Sequence, residues 1–198
     1  MGATRQRGRP AAATREDVIE AGLYRYLRGQ RIDVQAIAAD IGIGRATVYR
    51  WFGSRDNLIG EVVTRATEPV LVEARAGLEG KGGPGLLDTF DRFNRALADA
   101  PALRAFVEQE RDAALRLVAS GAGIVQPRIV ELITAQITEE VEAGTYEPPV
   151  EPAILGYAIV KLAQAFLFND TVAGIRGDVD RLREVEAALL GVPPAVSH

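Results

Sequence analysis

The chain has 198 residues, enough for one large domain or for a small module joined to a larger one. Its 47% hydrophobic and 25% charged residues are typical of a globular protein and argue against global disorder. The absence of cysteine excludes disulfides, thiolate metal sites and cysteine nucleophiles. Because His198 is the only histidine, a histidine metal cluster and a Ser-His-Asp triad are excluded as well. The chain also lacks a glycine phosphate loop before a Lys-Ser/Thr, so catalysis by aspartate or glutamate is the remaining alternative, and nothing in the sequence points to it. We therefore expect no enzymatic activity, no metal and no cofactor.

The net charge of −4 is unevenly distributed along the chain. Residues 1–60 contain ten arginines, no lysine and six acidic residues, a net charge of +4, whereas residues 61–198 carry −8. A basic first segment indicates contact with a polyanion. A chance imbalance on a solvated surface explains the charge alone equally well.

The chain starts with polar and basic residues that do not resemble a secretory signal. Its most apolar stretch, residues 153–168, is shorter than the roughly 20 residues of a membrane span and contains Lys161. We interpret this stretch as a buried helix, and we expect a cytoplasmic protein that does not contact a membrane.

The first predicted element is not a helix but an arm. Residues 1–13 lack apolar periodicity and are predicted to be flexible and basic. Thr14 can then cap a first helix that ends at Gly29, with Asp17 at the third helical position in place of the usual glutamate.

Apolar spacing and cap residues predict helices for the remaining elements. Residues 79–85 are rich in glycine and residues 144–152 are rich in proline, so both are predicted to be connections. The sequence thus predicts an all-α protein of about nine helices without strands. After the first, these helices run from Val34 to Ile41, Arg45 to Phe52, Ser54 to about Leu78, Leu86 to Ala98, Leu103 to Ala119, Val125 to Ala143, Pro152 to Asn169 and Val179 to Leu190.

Residues 34–58 carry the most informative pattern. Two short predicted helices meet at Gly42, where a sharp turn needs a positive φ or a missing Cβ. Val48 and Phe52 are predicted to face inward, and the pattern is typical of a helix-turn-helix whose second helix enters the DNA major groove. An ordinary three-helix bundle with a solvated face is the alternative. The outward face of the second helix carries Arg45, Thr47, Tyr49 and Arg50.

This segment resembles the DNA-binding signature of the tetracycline-repressor (TetR) family of bacterial transcription regulators. Two departures stand out: Ile41 replaces a small residue, and Gly44 replaces the usual serine, which removes a hydroxyl N-cap at a cost of a few tenths of a kcal/mol. The positions that match the signature are Ile37, Ala38, Gly42, Thr47, Tyr49, Phe52, Ser54 and Leu58.

The resemblance implies a homodimer that binds a palindromic operator in double-stranded DNA. It divides the chain into the arm, a helix-turn-helix DNA-binding domain at residues 14–58, and an effector-binding and dimerisation domain at residues 59–198. The implied function is repression that a small hydrophobic effector relieves; a transcriptional activator of the same fold and a ligand-independent helical scaffold are the alternatives. The residues implied to contact DNA are Gln35, Arg45, Thr47, Tyr49, Arg50 and, at a phosphate, Arg55.

The resemblance leaves two contacts open. Trp51 packs under the fourth helix or touches the DNA backbone, and burial is the commoner fate of a large aromatic beside a bundle. The arginines of the arm, Arg5, Arg7 and Arg9, contact DNA or belong to a disordered tail.

Family members dimerise through their last two long helices, which here run from Pro152 to Asn169 and from Val179 to Leu190. An apolar helix within one chain's own core is the alternative for the first of these. The middle helices are expected to enclose a neutral or weakly polar effector, although the same aromatic residues also fit an ordinary core. The predicted effector contacts are Phe90, Phe93, Asn94, Leu97, Phe106, Glu110, Tyr157, Gln164 and Phe168.

Overall fold

The computed structural model describes residues 13–114, 116–117, 123–168 and 178–193, and this part of the chain contains helices and no strand. Most of the predicted arm, with Arg5, Arg7 and Arg9, and the predicted helix end at Asn169 lie outside the described residues. The all-α prediction is confirmed. The helices are α1 (Arg15–Leu27), α2 (Val34–Asp40), α3 (Arg45–Phe52), α4 (Arg55–Arg75), α5 (Gly82–Asp99), α6 (Pro101–Gln109), α7 (Arg111–Ala114), α8 (Val125–Glu142), α9 (Pro152–Phe168) and α10 (Val179–Leu189).

The starts of α1, α2 and α4 have the caps that the sequence predicts. Thr14 and Asp17 form a capping box, in which the hydroxyl of Thr14 accepts the Asp17 N–H (3.2 Å) and the Asp17 carboxylate accepts the Thr14 N–H (2.6 Å). The side chains of Asp33 and Ser54 each accept an N–H bond from three residues further on, at 2.8 and 3.1 Å. These bonds satisfy helix N–H groups that would otherwise lack partners.

The prediction of one helix from Leu103 to Ala119 is wrong. The helix stops at Gln109, and Glu110 leaves the helical region with φ −132° and ψ 42° before α7 begins. The carboxylate of Glu110 forms ion pairs with Arg31 and Arg55, which come from distant parts of the chain. We attribute the break in the helix to these two ion pairs. Sequence periodicity cannot reveal such a tertiary contact.

The fifth helix begins four residues earlier than predicted, at Gly82 inside the glycine-rich stretch. The backbone N–H of Gly82 donates to the carboxylate of Glu140 (2.7 Å). This distant carboxylate takes the place of a capping side chain next to the helix start. A Cβ at Gly82 would lie 2.3 Å from the carbonyl oxygen of Thr145, and its φ is +61°. The glycine is needed here because two backbone segments touch, and the stretch is not a flexible connection.

The helix α4 joins two halves of the molecule, the head (α1–α3) and the body (α5–α10). The first half of α4 packs on α1 so closely that a Cβ at Gly22 would lie 2.6 Å from Val62. The second half packs on α5 and α8. A displacement of α4 therefore carries the head with it.

The helix α9 is apolar on nearly every side, as the sequence indicates, but it is not buried all round. Leu155, Ile159 and Val160 are buried against the body, whereas Ile154 and Tyr157 are 57% and 51% exposed. Within the described residues, no helix is both long and apolar enough to cross a bilayer.

Candidate nucleic-acid interface and apolar cavity

The recognition helix α3 divides into an inner and an outer face as predicted. Val48 and Phe52 are buried in the hydrophobic core, and Tyr49 is 45% exposed. Arg45 and Arg50 are exposed on α3, as is Gln35 on α2, and Thr47 is half-buried. The head thus presents hydrogen-bond donors and an aromatic ring on a helix short enough to enter a major groove.

Arg45 and Arg50 are the two arginines of the described chain that hold neither an ion pair nor a hydrogen bond. The other described arginines bind carboxylates, backbone carbonyls, a tyrosine or other groups of the protein. A guanidinium carries five donors in a planar fork that matches carboxylate and phosphate groups. The helix α3 therefore carries two guanidinium groups, those of Arg45 and Arg50, that bind no other group among the described residues.

The turn between α2 and α3 explains the glycine at its centre. Gly42 has φ +73°, and a Cβ there would have no neighbour within 4 Å. Of the two reasons that the sequence leaves open, the backbone conformation is the one that requires glycine. Gly44 caps α3 with φ −80° and no side-chain bond, as expected from the missing serine.

Trp51 is half-buried and packs against the hydrophobic core, which agrees with the first of its two predicted fates. Arg55 lies at the first position of α4, but its guanidinium points into the protein. It donates to the carbonyl of Ile32 (3.1 Å) and to the carboxylate of Glu110 (Nη1–Oε2 3.3 Å). A phosphate contact by Arg55 would have to compete with these bonds.

Glu110 accepts bonds from Arg55 and from Arg31 and is almost fully buried. Burial pushes its pKa upward, but the hydrogen bonds and charges of the two arginines outweigh burial and hold the pKa below its ordinary value. The ionised carboxylate therefore joins the α1–α2 loop, the start of α4 and the end of α6.

An apolar cavity of about 60 Å³ lies between α4, α5, α8, α9 and α10. Six of the nine predicted effector contacts line it: Phe90, Phe93, Asn94, Leu97, Gln164 and Phe168. The helix α4 contributes Val63 and Thr67 to the wall. Sites for drug-sized ligands occupy about 300–1,000 Å³, so a ligand of that size exceeds the volume of this cavity.

The other three predicted effector contacts lie elsewhere. Phe106 packs edge-on against Tyr26, with ring centroids 6.1 Å apart, and so joins α6 to α1. Glu110 belongs to the ion-pair group described above. Tyr157 does not line the cavity and is exposed on α9. The ammonium of Lys161 lies 5.7 Å from the centroid of its ring. Helical spacing alone cannot tell which face of a helix will meet the cavity and which will meet another element.

Sequence reasoning missed Glu186, a carboxyl group that lines the cavity and is 0% exposed. Asn94 donates from Nδ2 to its Oε1 (2.9 Å), and burial raises the pKa of Glu186 to about 8. A signal was present: Glu186 follows Leu182 and precedes Leu190 by four residues, so it occupies the buried stripe of α10. A charged residue in such a stripe marks a site that needs explanation.

No group of three or more acidic or histidine side chains among the described residues could hold a metal ion. Three large apolar side chains are exposed on α9 and α10: Ile154 and Tyr157 on α9 and Val185 on α10. These residues come from two helices that pack against each other.

A helix-turn-helix head carried by a long helix, on an all-helical body with an apolar cavity, defines a two-part class of DNA-binding regulators. Residues 81–191, more than half of the chain, match the family model described as "Tetracyclin repressor-like, C-terminal domain". The chain belongs to the TetR family of transcription regulators. No curated protein matches the sequence.

Solved structures of other proteins resemble this fold. The transcriptional repressor QsdR of R. erythropolis is 28% identical, with a TM-score of 0.84 over 93% of this chain and 97% of QsdR. The repressor AlkX of Dietzia sp. strain DQ12-45-1b, implicated in biodegradation of n-alkanes, is 20% identical, with a TM-score of 0.63 over 91% and 96%. The multidrug binding protein EbrR, solved with imidazole, is 19% identical, with a TM-score of 0.52 over 92% and 98%.

Proposed function

We propose that the chain is a homodimeric repressor that binds a palindromic operator through α3 and is released by a small hydrophobic effector. The observation that carries the proposal is the pair of exposed arginines, Arg45 and Arg50, that have no partner among the described residues. Gln35, Thr47 and Tyr49 complete the proposed DNA contacts. The likeness to QsdR and AlkX, both described as repressors, supports repression over activation.

The DNA-binding domain of the proposal comprises residues 14–58, and the effector-binding and dimerisation domain comprises residues 59–198. The boundary falls within α4, so the two parts share one continuous helix. Arg55 remains a candidate phosphate contact only if the operator draws it away from Glu110. The first turn of α4, which follows the cap Ser54, is the second group that could face that phosphate.

The dimer of the proposal forms through α9 and α10. Ile154 and Tyr157 are large, exposed and on the same face of α9, and Val185 extends this apolar surface onto α10. Exposed apolar patches of this kind mark interaction surfaces. A two-fold dimer places two recognition helices about 34–36 Å apart, or a multiple of that distance, which is the spacing of operator half-sites.

Release of DNA follows from the position of α4. Val63 and Thr67 line the cavity, and the preceding turns of the same helix pack on α1. An effector larger than the cavity displaces this wall, and α4 carries the head to a spacing that no longer fits the operator. The coupling is expected to be about 1–3 kcal/mol, as is usual between linked sites.

The test starts with selection of bound sequences from random double-stranded DNA by the full chain at a fixed salt concentration, because the phosphate interaction depends strongly on salt. A palindrome is the expected result. Fluorescence anisotropy with that palindrome then compares the wild type with Arg45→Ala and Arg50→Ala. Each substitution is expected to weaken binding by about 1–3 kcal/mol.

Arg104→Ala is the matched control, since Arg104 is equally exposed on α6 and holds only a long bond to the carbonyl of Ala98 (3.4 Å). Its binding should equal that of the wild type. Selection of no sequence, or equal losses for all three arginine variants, would contradict the proposed interface.

A further inference from the structure

Among the described residues that line the cavity, one buried polar atom has no hydrogen-bond partner. Three buried side-chain polar atoms lack a hydrogen-bond partner among the described residues, and of these only Oε2 of Glu186 belongs to a residue that lines the cavity. Such an atom costs free energy in the empty protein, so its presence in a pocket needs an explanation. A ligand that binds Oε2 would supply the missing partner.

The two oxygens of Glu186 have different roles. Oε1 accepts the bond from Asn94, and Asn94 is itself buried in the cavity wall. Two charged residues act on the pKa of Glu186 in opposite directions: Asp91 on α5 raises it and Arg183 on α10 lowers it. Arg183 also binds Asp91 (3.2 Å) and Asp88 (2.6 Å). It is therefore shared among several carboxylates.

The other helix that packs on α10 supplies no countercharge either. The only charged residue of α9 is Lys161, and its ammonium donates to the side chain of Gln126 (2.9 Å). Glu186 is the one ionisable residue in the described lining of the cavity. Burial raises its pKa to about 8, so the carboxyl is mostly protonated at pH 7 and Oε2 carries a hydrogen to donate.

We propose that Glu186 selects the effector by donating a hydrogen bond from Oε2 to a carbonyl oxygen of a compact, uncharged and otherwise apolar molecule. This assignment rests on the proposed function only in taking the cavity as the effector site. A cationic ligand is the competing class, but it would bring a second charge into an apolar site and would require Glu186 to ionise. Both steps carry a large desolvation cost.

Three probes of nearly equal shape test the assignment on the full chain without DNA: cyclopentanone, methylenecyclopentane and cyclopentylamine. Five-membered rings keep the required enlargement of the cavity small. Dissociation constants are measured by NMR titration at pH 6.5 and pH 9. At pH 6.5 cyclopentanone should bind about fivefold more tightly than methylenecyclopentane, the factor that corresponds to one net hydrogen bond.

The pH dependence and two variants of Glu186 identify the donor. At pH 9 the wild type should lose the preference for cyclopentanone, because the ionised carboxylate has no hydrogen to donate. Glu186→Gln should keep the preference at both pH values, since its amide N–H replaces the hydroxyl. Glu186→Leu should bind both uncharged probes equally, and Glu184→Gln, a change at an exposed position of the same helix, should behave as the wild type.

Three results would overturn the assignment: tightest binding of cyclopentylamine, an unchanged cyclopentanone preference in a folded Glu186→Leu variant, or no binding of any probe by the wild type. The result is independent of the operator test. A cyclopentanone preference without operator binding would retain the cavity assignment and reject the proposed repressor. Operator binding without a cyclopentanone preference would retain the proposed repressor and reject the assignment of Glu186.

Discussion

Arg55 and Glu110 form an ion pair, 55 residues apart in sequence, that ties the first residue of α4 to the end of α6. Arg31, from the loop between α1 and α2, binds the same carboxylate. The head thus contacts the body through the continuous helix α4, through this buried carboxylate and through the ring pair Tyr26–Phe106. A head that is displaced by an effector must carry this carboxylate with it or give up its bonds.

Replacement of Glu110 by glutamine should reduce the free energy of unfolding by about 1.5 kcal/mol at pH 7, because the charge-assisted bonds to Arg55 are lost. The pKa of Glu110 lies below its ordinary value, so its contribution is present at neutral pH and disappears as the pH falls through that lowered pKa. Urea unfolding of both proteins across this range measures the difference.

Glu108→Gln is the control for this prediction, since Glu108 lies exposed on the same helix. Its unfolding free energy should match that of the wild type. A loss of equal size in both variants would show that the ion pair does not stabilise the attachment of the head.

Replacement of Glu186 by glutamine should raise the free energy of unfolding, whereas Glu110→Gln lowers it. The pKa of Glu186 is raised to about 8, so the stability of the wild type is greatest below the ordinary pKa and falls as the pH rises toward 8. The variant has no such dependence and should be more stable by about 3 kcal/mol at pH 7, with no gain near pH 4. Thermal unfolding over this pH range checks the prediction, and a gain that does not vary with pH would contradict it.

Gly42 and Gly44 provide a matched pair in the turn before α3. A Cβ at either position meets nothing within 4 Å, but only Gly42 has a positive φ. Gly42→Ala should therefore cost about 1–2 kcal/mol and weaken DNA binding, and Gly44→Ala should cost less, about 0.5 kcal/mol, because alanine is a poorer N-cap than glycine. Chemical unfolding and anisotropy measure both effects; equal costs would mean that φ is not the reason for glycine at this turn.

The proposed dimer predicts that a charge on α9 disrupts association. Ile154→Asp places a carboxylate in the apolar face and should convert the dimer to a monomer at micromolar concentration, as measured by sedimentation. Operator affinity should fall with it. Val72→Asp is the control, because Val72 is 69% exposed on α4, outside this face. Dissociation caused by both variants, or by neither, would reject the interface.

Local signals in the sequence predicted the head almost completely. The caps at Thr14 and Ser54, the inward pair Val48 and Phe52 and the turn at Gly42 are all determined by residues that lie close together in the chain. Hydrophobic periodicity also placed most of the body helices, because each helix has one buried face.

The errors arise where distant segments meet. Glu110, a predicted effector contact, binds Arg31 and does not line the cavity, and nothing near Glu110 in sequence indicates an arginine 79 residues away. The glycine-rich sequence predicts Gly82 to lie in a connection, whereas Gly82 begins α5. Its contact with Thr145 exists only in the folded chain, so the local sequence does not indicate it. Glu186 is absent from the predicted effector contacts, although its place between the buried Leu182 and Leu190 marks it as a buried position.

The small volume of the cavity makes the size of a molecule part of the signal. An apolar cavity of about 150 Å³ holds benzene, and the one found here is about 60 Å³. Under the proposed mechanism, a molecule small enough to fit this volume leaves Val63 and Thr67 in place and does not move α4. The proposal therefore requires effectors that are larger than the cavity, and molecules that fit it without displacing the wall should not release DNA.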